Sequence, residues 1–460
     1  MEVREEKTIA ALATAPGAAG LAVIRVSGPE AGPIAARIFS TVGEPPFYEK
    51  ASHHAYHGWI QDTAGQAVDE VLLLWMKGPH SFTGENTVEI SCHGGSYVSQ
   101  KILELLYEAG AEPARPGEFT QRAFLNGKMD LTQAEAVMDV IASETALSLR
   151  ASVSQLRGSL FEKTEDLRGR LMEVMTAAEA NIDYPEYDVP EVSTPRLQQD
   201  CRRIREEAAA LLDTAETGRL LRQGIRIAIL GAPNVGKSSL LNRLLGQERA
   251  IVTDIPGTTR DTVEESADIA GIPVRLIDTA GIHETEDTVE KIGVERARRA
   301  LSESDLILLV LDAARSIEPE ELQLYEAVRE QPHLILGNKM DLCGGKNVEW
   351  PLSISREIWP VSAKTGEGIP TVQKQIRDLF LQGVVLTDHT PVITNLRQKE
   401  ALRKAVTALD RVQEAAQAGF EPDLLMIDIR EAYDALGEMS GHNVSEDMIQ
   451  AIFSRFCLGK

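Results

Sequence analysis

The hydrophobic positions of this chain change their period several times, and the changes divide it into regions. Short apolar, β-branched runs come first: Gly20 to Gly28, Val71 to Met76, and Thr87 to Ile90. These predict strands, while helical spacing from Val98 to Ala109, stopped by Gly110, predicts a helix. Residues 1–120 therefore read as a small α/β domain. From Leu131 to about Ala180 apolar residues recur at helical intervals (Val137, Val140, Ile141; Val153, Leu156, Leu160; Leu167, Leu171, Val174) with almost no Pro or Gly. That pattern predicts two or more long amphipathic helices. Asn181 to Pro195 is a Pro-rich, acidic connection. Thr194-Pro195 then opens another helix, with Thr as cap and Pro at the first helical position, running to Arg222 and stopping at Gly224.

Strand chemistry resumes at Ile225 to Leu230, a short apolar run that predicts a buried strand, followed by a helix from Ser239 to Leu245. A hairpin is expected over Glu264 to Ala270 and Ile272 to Ile277, and the last strand–helix unit ends near Leu381. Residues 391–418 return to helical spacing, ended by Gly419, with shorter helices expected over Pro422 to Leu436 and Ser445 to Phe456. The expected organisation is an N-terminal α/β domain (1–120) and an all-helical domain in two parts (121–220 and 382–460). Between the two parts an inserted, doubly wound α/β domain (221–381) interrupts it. Insertion is feasible because the termini of a compact domain often lie close together.

The chemistry is densest in that third region. Gly231-Ala232-Pro233-Asn234-Val235-Gly236-Lys237-Ser238 lies between a predicted strand and a predicted helix, the context a phosphate-binding loop requires. Loop N–H groups and the positive helix end converge on one point, where phosphate oxygens bind. Asn234, Val235, Gly236, Lys237, Ser238 and Ser239 are thus candidate nucleotide contacts. Lys237 would reach the β/γ-phosphates and the Ser238 hydroxyl would ligate Mg²⁺. Thr253, Asp254, Ile255, Pro256, Gly257, Thr258 and Thr259 form a natural first switch, with Thr259 a second Mg²⁺ ligand. Asp278, Thr279, Ala280 and Gly281 follow the hairpin; Asp278 can hold the Mg²⁺ shell and the Gly281 N–H can touch the γ-phosphate.

Base choice is written at Asn338-Lys339-Met340-Asp341. The Asp341 carboxylate can accept from N1–H and the exocyclic amine of guanine, donors that adenine lacks in that geometry. Ser362, Ala363 and Lys364 suit the loop that packs on the base. Each segment follows a strand and all occur in this order, so the domain reads as a GTPase. Its catalytic arrangement is unusual. Where many GTPases carry a water-positioning Gln just after Asp-x-x-Gly, this chain has Ile282. Asn234 offers an amide oxygen near the phosphates, and K⁺ held by it and by carbonyls around Thr253 to Ile255 would neutralise charge as an arginine finger does.

Composition narrows what surrounds this engine. At 460 residues the length suggests about three domains, and 43% hydrophobic with 25% charged residues is ordinary for a soluble globular protein. No signal peptide is evident at Met1 to Lys7, and no apolar run approaches a membrane span. Four scattered cysteines fit a reducing cytoplasm. The net charge of −23 is spread over all four regions with no basic block, which excludes gripping nucleic acid by bulk electrostatics. His53, His54, His57, Cys92 and His93 match no zinc spacing. Arg25 lies in an apolar run, either pointing outward from an edge strand or binding an anion. Cys457 stands four from the end, but Gly459, the atypical final Lys460 and the lack of an upstream polybasic stretch argue against prenylation.

With these residues in place, the whole chain resembles the bacterial tRNA modification GTPases of the MnmE/TrmE type. Arg25-Val26-Ser27-Gly28, Ser81-Phe82-Thr83-Gly84-Glu85 and Cys92-His93-Gly94-Gly95 carry the resemblance. So do Ala114-Arg115-Pro116-Gly117-Glu118-Phe119-Thr120, Phe124-Leu125-Asn126-Gly127-Lys128, Gly257-Thr258-Thr259-Arg260-Asp261 and the terminal Cys457-Leu458-Gly459-Lys460. The resemblance implies a dimerising N-terminal domain that binds a 5-formyl-tetrahydrofolate-type cofactor, with Arg25, Glu89, Lys128 and Lys460 at the family's folate positions. It implies K⁺-dependent pairing of GTPase domains through Asn234, Thr253, Ile255 and Thr258, a catalytic glutamate at Glu290, and a role for Cys457. It also implies an FAD-dependent partner, with which the family forms the 5-carboxymethylaminomethyl group on wobble uridine of certain tRNAs. Ala19 and Ala22 depart from the family's glycine-richer first strand and bear on folate affinity. The rival expectation is a ribosome-assembly or signalling GTPase acting as an RNA-associated switch.

Overall fold

The structure is a computed structural model that describes residues 7–41, 45–183, 194–244, 265–276, 304–344, 350, 358–381, 387 and 389–460. The chain divides into two compact units, one of residues 1–138 with 434–460 and the other of residues 139–433.

The first unit holds a seven-stranded sheet. Its strands are β1 (Ile9–Leu12), β2 (Leu21–Ser27), β3 (Phe39–Ser40), β4 (His54–Gln61), β5 (Ala67–Met76), β6 (Thr87–His93) and β7 (Glu112–Pro113), in the order β3-β4-β5-β6-β2-β1-β7. Strand alternation sorts its side chains. Ala22, Ile24 and Val26 of β2 join Val71, Leu73, Val88 and Ile90 on one face. Helices Ala31–Ile38 and Ser96–Glu108 cover that face with Ile34, Ala35, Ile102, Leu105 and Leu106. On the other face Ile9 and Ala11 pack with Ala114, Phe119 and Phe82. Further along that face large apolar side chains are exposed. Leu72 is 52% exposed and Trp59 44% exposed. Several elements here, among them β1, β3, β4 and helix Glu118–Leu125, were not marked by any run in the sequence.

Helix Glu446–Phe453 packs on Glu118–Leu125 through the rings of Phe453 and Phe124, 6.2 Å between centroids. Ser445, expected as the first helical residue, is instead its cap, accepting from the Met448 N–H. Beyond it the chain end docks against Gly117 and the end of β1. Gly117 donates its N–H to the Cys457 carbonyl at 3.4 Å, and Gly459 lies against Leu12 and Ala13.

The second unit contains a six-stranded sheet built from β8 (Ile225–Leu230), β9 (Glu265–Ile269), β10 (Ile272–Leu276), β11 (Leu306–Asp312), β12 (His333–Asn338) and β13 (Ile358–Pro360). Their order is β13-β12-β11-β8-β10-β9. The β9–β10 hairpin is antiparallel and the other pairs are parallel, the doubly wound pattern expected. The two or more long helices expected between Leu131 and Ala180 are three: Leu131–Ile141, Ala146–Leu156 and Ser159–Asp183. A Thr145–Ser148 capping box restarts the chain after the first. Helix Thr194–Gln223 runs as predicted and packs against Leu396–Gln417. That last helix starts at Leu396, not 391, because Asn395 caps it by accepting from the Gln398 N–H.

Near-buried Asp139 fixes two points of this unit. Its carboxylate meets Arg222 Nε at 2.8 Å and Thr394 Oγ1 at 3.0 Å. Arg222 ends the helix that leads into β8, and Thr394 leads into the helix at Leu396. Ala151, Leu220, Leu221 and Val392 share one hydrophobic cluster with β8, β10 and β11, so the sheet and the neighbouring helices have a common core.

Candidate nucleotide site

In a parallel sheet the ligand crevice lies outside the carboxyl ends of the strands. The three described nucleotide segments all fall there: the phosphate loop after β8, Asn338 to Asp341 after β12, and Ser362 to Lys364 after β13. The loop backbone is shaped for the task. At Gly231, φ is +153° and an added Cβ would lie 2.4 Å from the Val310 carbonyl oxygen, so glycine is required. Asn234 adopts φ +62° with its side chain exposed. Ser238 and Ser239 are exposed on the first turn of helix Lys237–Leu244.

Lys237 lies back across the loop. Its Nζ donates to the carbonyls of Gly231 at 3.0 Å and Ala232 at 2.8 Å. Burial lowers its pKa below the ordinary lysine value. This ammonium is held within the phosphate loop by acceptors weaker than a phosphate oxygen.

The base side is tied to the phosphate side. Asn338, 2% exposed, donates Nδ2–H to the Val235 carbonyl at 2.8 Å and accepts from the Ala363 N–H at 2.9 Å. Ser362 donates its hydroxyl to Asp341 Oδ1 at 2.7 Å. Lys364 Nζ stands 3.9 Å from the other Asp341 oxygen. Lys339, at φ +68°, extends its ammonium to Asp312 Oδ2 at 2.7 Å. The structure thus brings Asn338, Lys339, Asp341, Ser362, Ala363 and Lys364 together with the phosphate loop. Thr253 to Thr259, Asp278 to Gly281, Ile282 and Glu290 lie outside the described residues. Two participants escaped the sequence reading. Asp312 ends a strand at the crevice, and that position was its one available signal. Arg243, which donates to the Ala363 and Lys364 carbonyls, carried none.

Comparison with known proteins bears on the whole chain. Residues 131–457 match the domain family described as the MnmE helical domain, and residues 8–128 match the GTP-binding protein TrmE N-terminus. The tRNA modification GTPase MnmE of Acetivibrio thermocellus is 45% identical over 459 residues, covering 99% of this chain and 100% of its own. That of Enterococcus faecalis is 44% identical, covering 99% of each. The chain belongs to the MnmE family of tRNA modification GTPases. Among solved structures, the FeoB G-domain from Methanococcus jannaschii is 25% identical and covers 33% of this chain and 95% of its own, with a TM-score of 0.24.

MnmE-family resemblance also singled out residues of the first unit. The structure pairs Arg25 with Glu89: Nε donates to Oε1 at 2.9 Å. β2 lies between β1 and β6, so the edge-strand reading of Arg25 is corrected; the charge is tolerated because Glu89 sits directly opposite in the register. Phe82 and Phe119 lie 5.1 and 5.6 Å from the guanidinium carbon, and Nη1 is buried without a hydrogen-bond partner. Lys128 Nζ donates to the Pro79 carbonyl at 3.1 Å, and Lys460 lies at the docked chain end. Cys457 is exposed with a free thiol.

Beside that pair runs a buried polar network the sequence reading missed. Ser27 donates to Glu85 at 2.6 Å, and Arg122 bridges Glu85 and Glu118 at 3.1 and 3.0 Å. Three of the segments that carry the family resemblance, those of Ser27, Glu85 and Glu118, are therefore held together through Arg122. The histidines are placed apart: His57 pairs with Glu70, His93 with Asp69. Cys92 is buried, and burial together with the Asp69 charge pushes its thiol up to about 11.

Proposed function

We propose that this chain is a K⁺-dependent GTP hydrolase that acts with an FAD-dependent partner. Together they would form the 5-carboxymethylaminomethyl group on the wobble uridine of certain tRNAs in the cytoplasm. The observation that carries the reading is the convergence of Lys237, Asn338, Asp341 and Ser362 in one crevice of a chain matched over its whole length by MnmE relatives. GTP hydrolysis would drive pairing and separation of GTPase domains (221–381) inserted in a helical domain (121–220 and 382–460). The family match does not favour the rival switch without modification chemistry.

Within this reading Lys237 binds the β/γ-phosphates, and Ser238, Thr259 and Asp278 form the Mg²⁺ shell. Asn234, with the backbone at Thr253, Ile255 and Thr258, holds K⁺ in place of an arginine finger. Glu290 orients the attacking water that Ile282 cannot. Asp341 reads guanine. The N-terminal domain (1–120) would dimerise and bind a 5-formyl-tetrahydrofolate-type cofactor at Arg25, Glu89, Lys128 and Lys460. Two features of its residues suit this. The orphaned Nη1 of Arg25 is a buried donor for an anionic or carbonyl group, flanked by aromatic rings. The sheet face with Trp59, Leu72 and Leu21 exposed is apolar surface for a second copy. Cys457 is exposed and free to take part in the chemistry.

Deleting the gene and analysing wobble nucleosides by mass spectrometry tests the central claim: the modified uridine should vanish, and unchanged uridines would refute it. Hydrolysis in KCl against NaCl tests the cation, since equal rates would remove K⁺ from the mechanism. A Glu290→Ala chain that hydrolyses GTP normally would remove that residue.

A further inference from the structure

We infer that Arg243 is a positioning residue for guanine recognition, acting on Asp341 through the Ser362 loop; the inference rests on the GTP reading above. Helix Lys237–Leu244 begins under the phosphate loop, and Arg243 lies at its far end, almost two turns along. From there its guanidinium grips two successive carbonyls of the base loop. Nε donates to Ala363 O at 3.3 Å and Nη2 to Lys364 O at 2.8 Å.

A peptide unit is planar and trans, so its N–H points opposite to its C=O. Holding the Lys364 carbonyl toward Arg243 therefore aims the next N–H, that of Thr365, the other way. That N–H donates to Ser362 Oγ at 3.1 Å. Ser362 Oγ carries a single proton, which goes to Asp341 Oδ1 at 2.7 Å. Meanwhile the Ala363 N–H donates inward to Asn338. The Ala363 and Lys364 carbonyls thus face Arg243, while the Ala363 N–H donates to Asn338, the Thr365 N–H to Ser362 and the Ser362 hydroxyl to Asp341. Arg243 sets the rotation of this loop and, through Ser362, the orientation of the Asp341 carboxylate. It also links the helix under the phosphates directly to the loop over the base.

The consequence is specific to the second hydrogen bond that Asp341 makes. Guanine offers N1–H and the 2-amino group, whereas hypoxanthine offers N1–H alone. A tilted carboxylate loses the two-point contact first, so the penalty falls on guanine. The test uses the full-length chain with GDP and IDP as probes, in Arg243→Ala and Arg243→Lys variants. Arg243→Ala should weaken GDP binding roughly fivefold and IDP by a distinctly smaller factor, narrowing the GDP-to-IDP preference. Arg243→Lys, which keeps a cationic donor nitrogen but not the planar fork, should recover part of the preference. Equal weakening of both nucleotides would mean a structural role only, and unchanged affinities would mean no role; either overturns the inference. A wild-type chain that fails to prefer GDP over IDP and ADP would instead overturn the GTP reading beneath it.

Discussion

Asn338 and Val235 are 103 positions apart and joined by a 2.8 Å hydrogen bond from the Asn338 amide to the Val235 carbonyl. The same side chain accepts from the Ala363 N–H at 2.9 Å, so one buried amide couples the phosphate loop to the base loop. Replacing it by alanine strands a buried carbonyl and a buried N–H, each costing about 1–3 kcal/mol. Asn338→Ala should destabilise the nucleotide unit by roughly 2–4 kcal/mol in urea unfolding. It should also weaken GDP binding more than tenfold in a titration. Undiminished GDP affinity would show that the two loops keep their places without it.

Asp341 presents a carboxylate whose Oδ1 already accepts from Ser362. Remaining lone pairs are acceptors only, which suits the two donors on guanine's edge. Asp341→Asn brings an amide NH₂ that faces those donors and would instead suit a carbonyl at the 2-position, as in xanthine. GTP hydrolysis at micromolar nucleotide should fall at least a hundredfold, and xanthosine triphosphate should become the better substrate. Competition assays with both triphosphates decide it.

The β9–β10 hairpin turns at Ala270, which is held at φ +54°. A side chain in the left-handed region costs about 1–2 kcal/mol, part of which glycine returns as greater freedom when unfolded. Asp268 braces the turn by accepting from the Gly271 N–H at 2.6 Å, so the backbone is not free to relax. Ala270→Gly should stabilise the unit by about 0.5–1 kcal/mol, read as a higher urea midpoint. A lower midpoint would show that the alanine methyl has packing worth more than the strain.

Much of this architecture could be read from the chain, for local reasons. β8 announces itself as an apolar run because both of its faces are buried, and helix Thr194–Gln223 by its Thr-Pro start and its Gly224 stop. The base site was legible because its chemistry needs fixed residue types in short segments. What stayed hidden is held by distant partners. Arg25 lay unresolved between two roles because Glu89, 64 positions away, decides its environment. β4 was missed because its outward residues include Trp59 and His57, which blur the alternation. Arg243 was silent because a surface arginine on a helix has no pattern; only the carbonyls of Ala363 and Lys364 give it meaning.

Glu118 makes the first unit sensitive to acid. Burial opposes its ionisation, but the Arg115 N–H and the Arg122 guanidinium outweigh that and hold its pKa below the ordinary 4.5. A carboxylate depressed on folding contributes stability that is present above its unfolded pKa and lost as pH falls through the folded value. The unit should therefore loosen below about pH 4.5, as the protonated carboxyl releases both arginines. Glu118→Gln should lower stability at neutral pH and flatten the acid limb of a melting-temperature profile. A variant whose profile keeps the wild-type slope would assign the acid sensitivity to other carboxylates.

Gly459 decides whether the chain end stays docked. It sits at φ +86°, and an added Cβ would lie 2.1 Å from the Leu12 carbonyl oxygen and 2.9 Å from the Ala13 Cα. Both obstacles are backbone of β1 and the residue that follows it, which is itself paired with β2 and cannot withdraw cheaply. Gly459→Ala should therefore release the last residues instead of shifting the sheet, since Leu458 and Cys457 are already exposed and hold little of the unit's core. Carboxypeptidase should trim the variant faster while its melting temperature stays close to wild type. In the proposed folate site the released residue is Lys460, a cation whose loss removes one charge contact from an anionic cofactor. Calorimetric titration with 5-formyl-tetrahydrofolate should then show affinity reduced about tenfold or more. Wild-type affinity in a chain whose tail is demonstrably trimmed would take Lys460 out of the site and leave Arg25, Glu89 and Lys128 to account for binding.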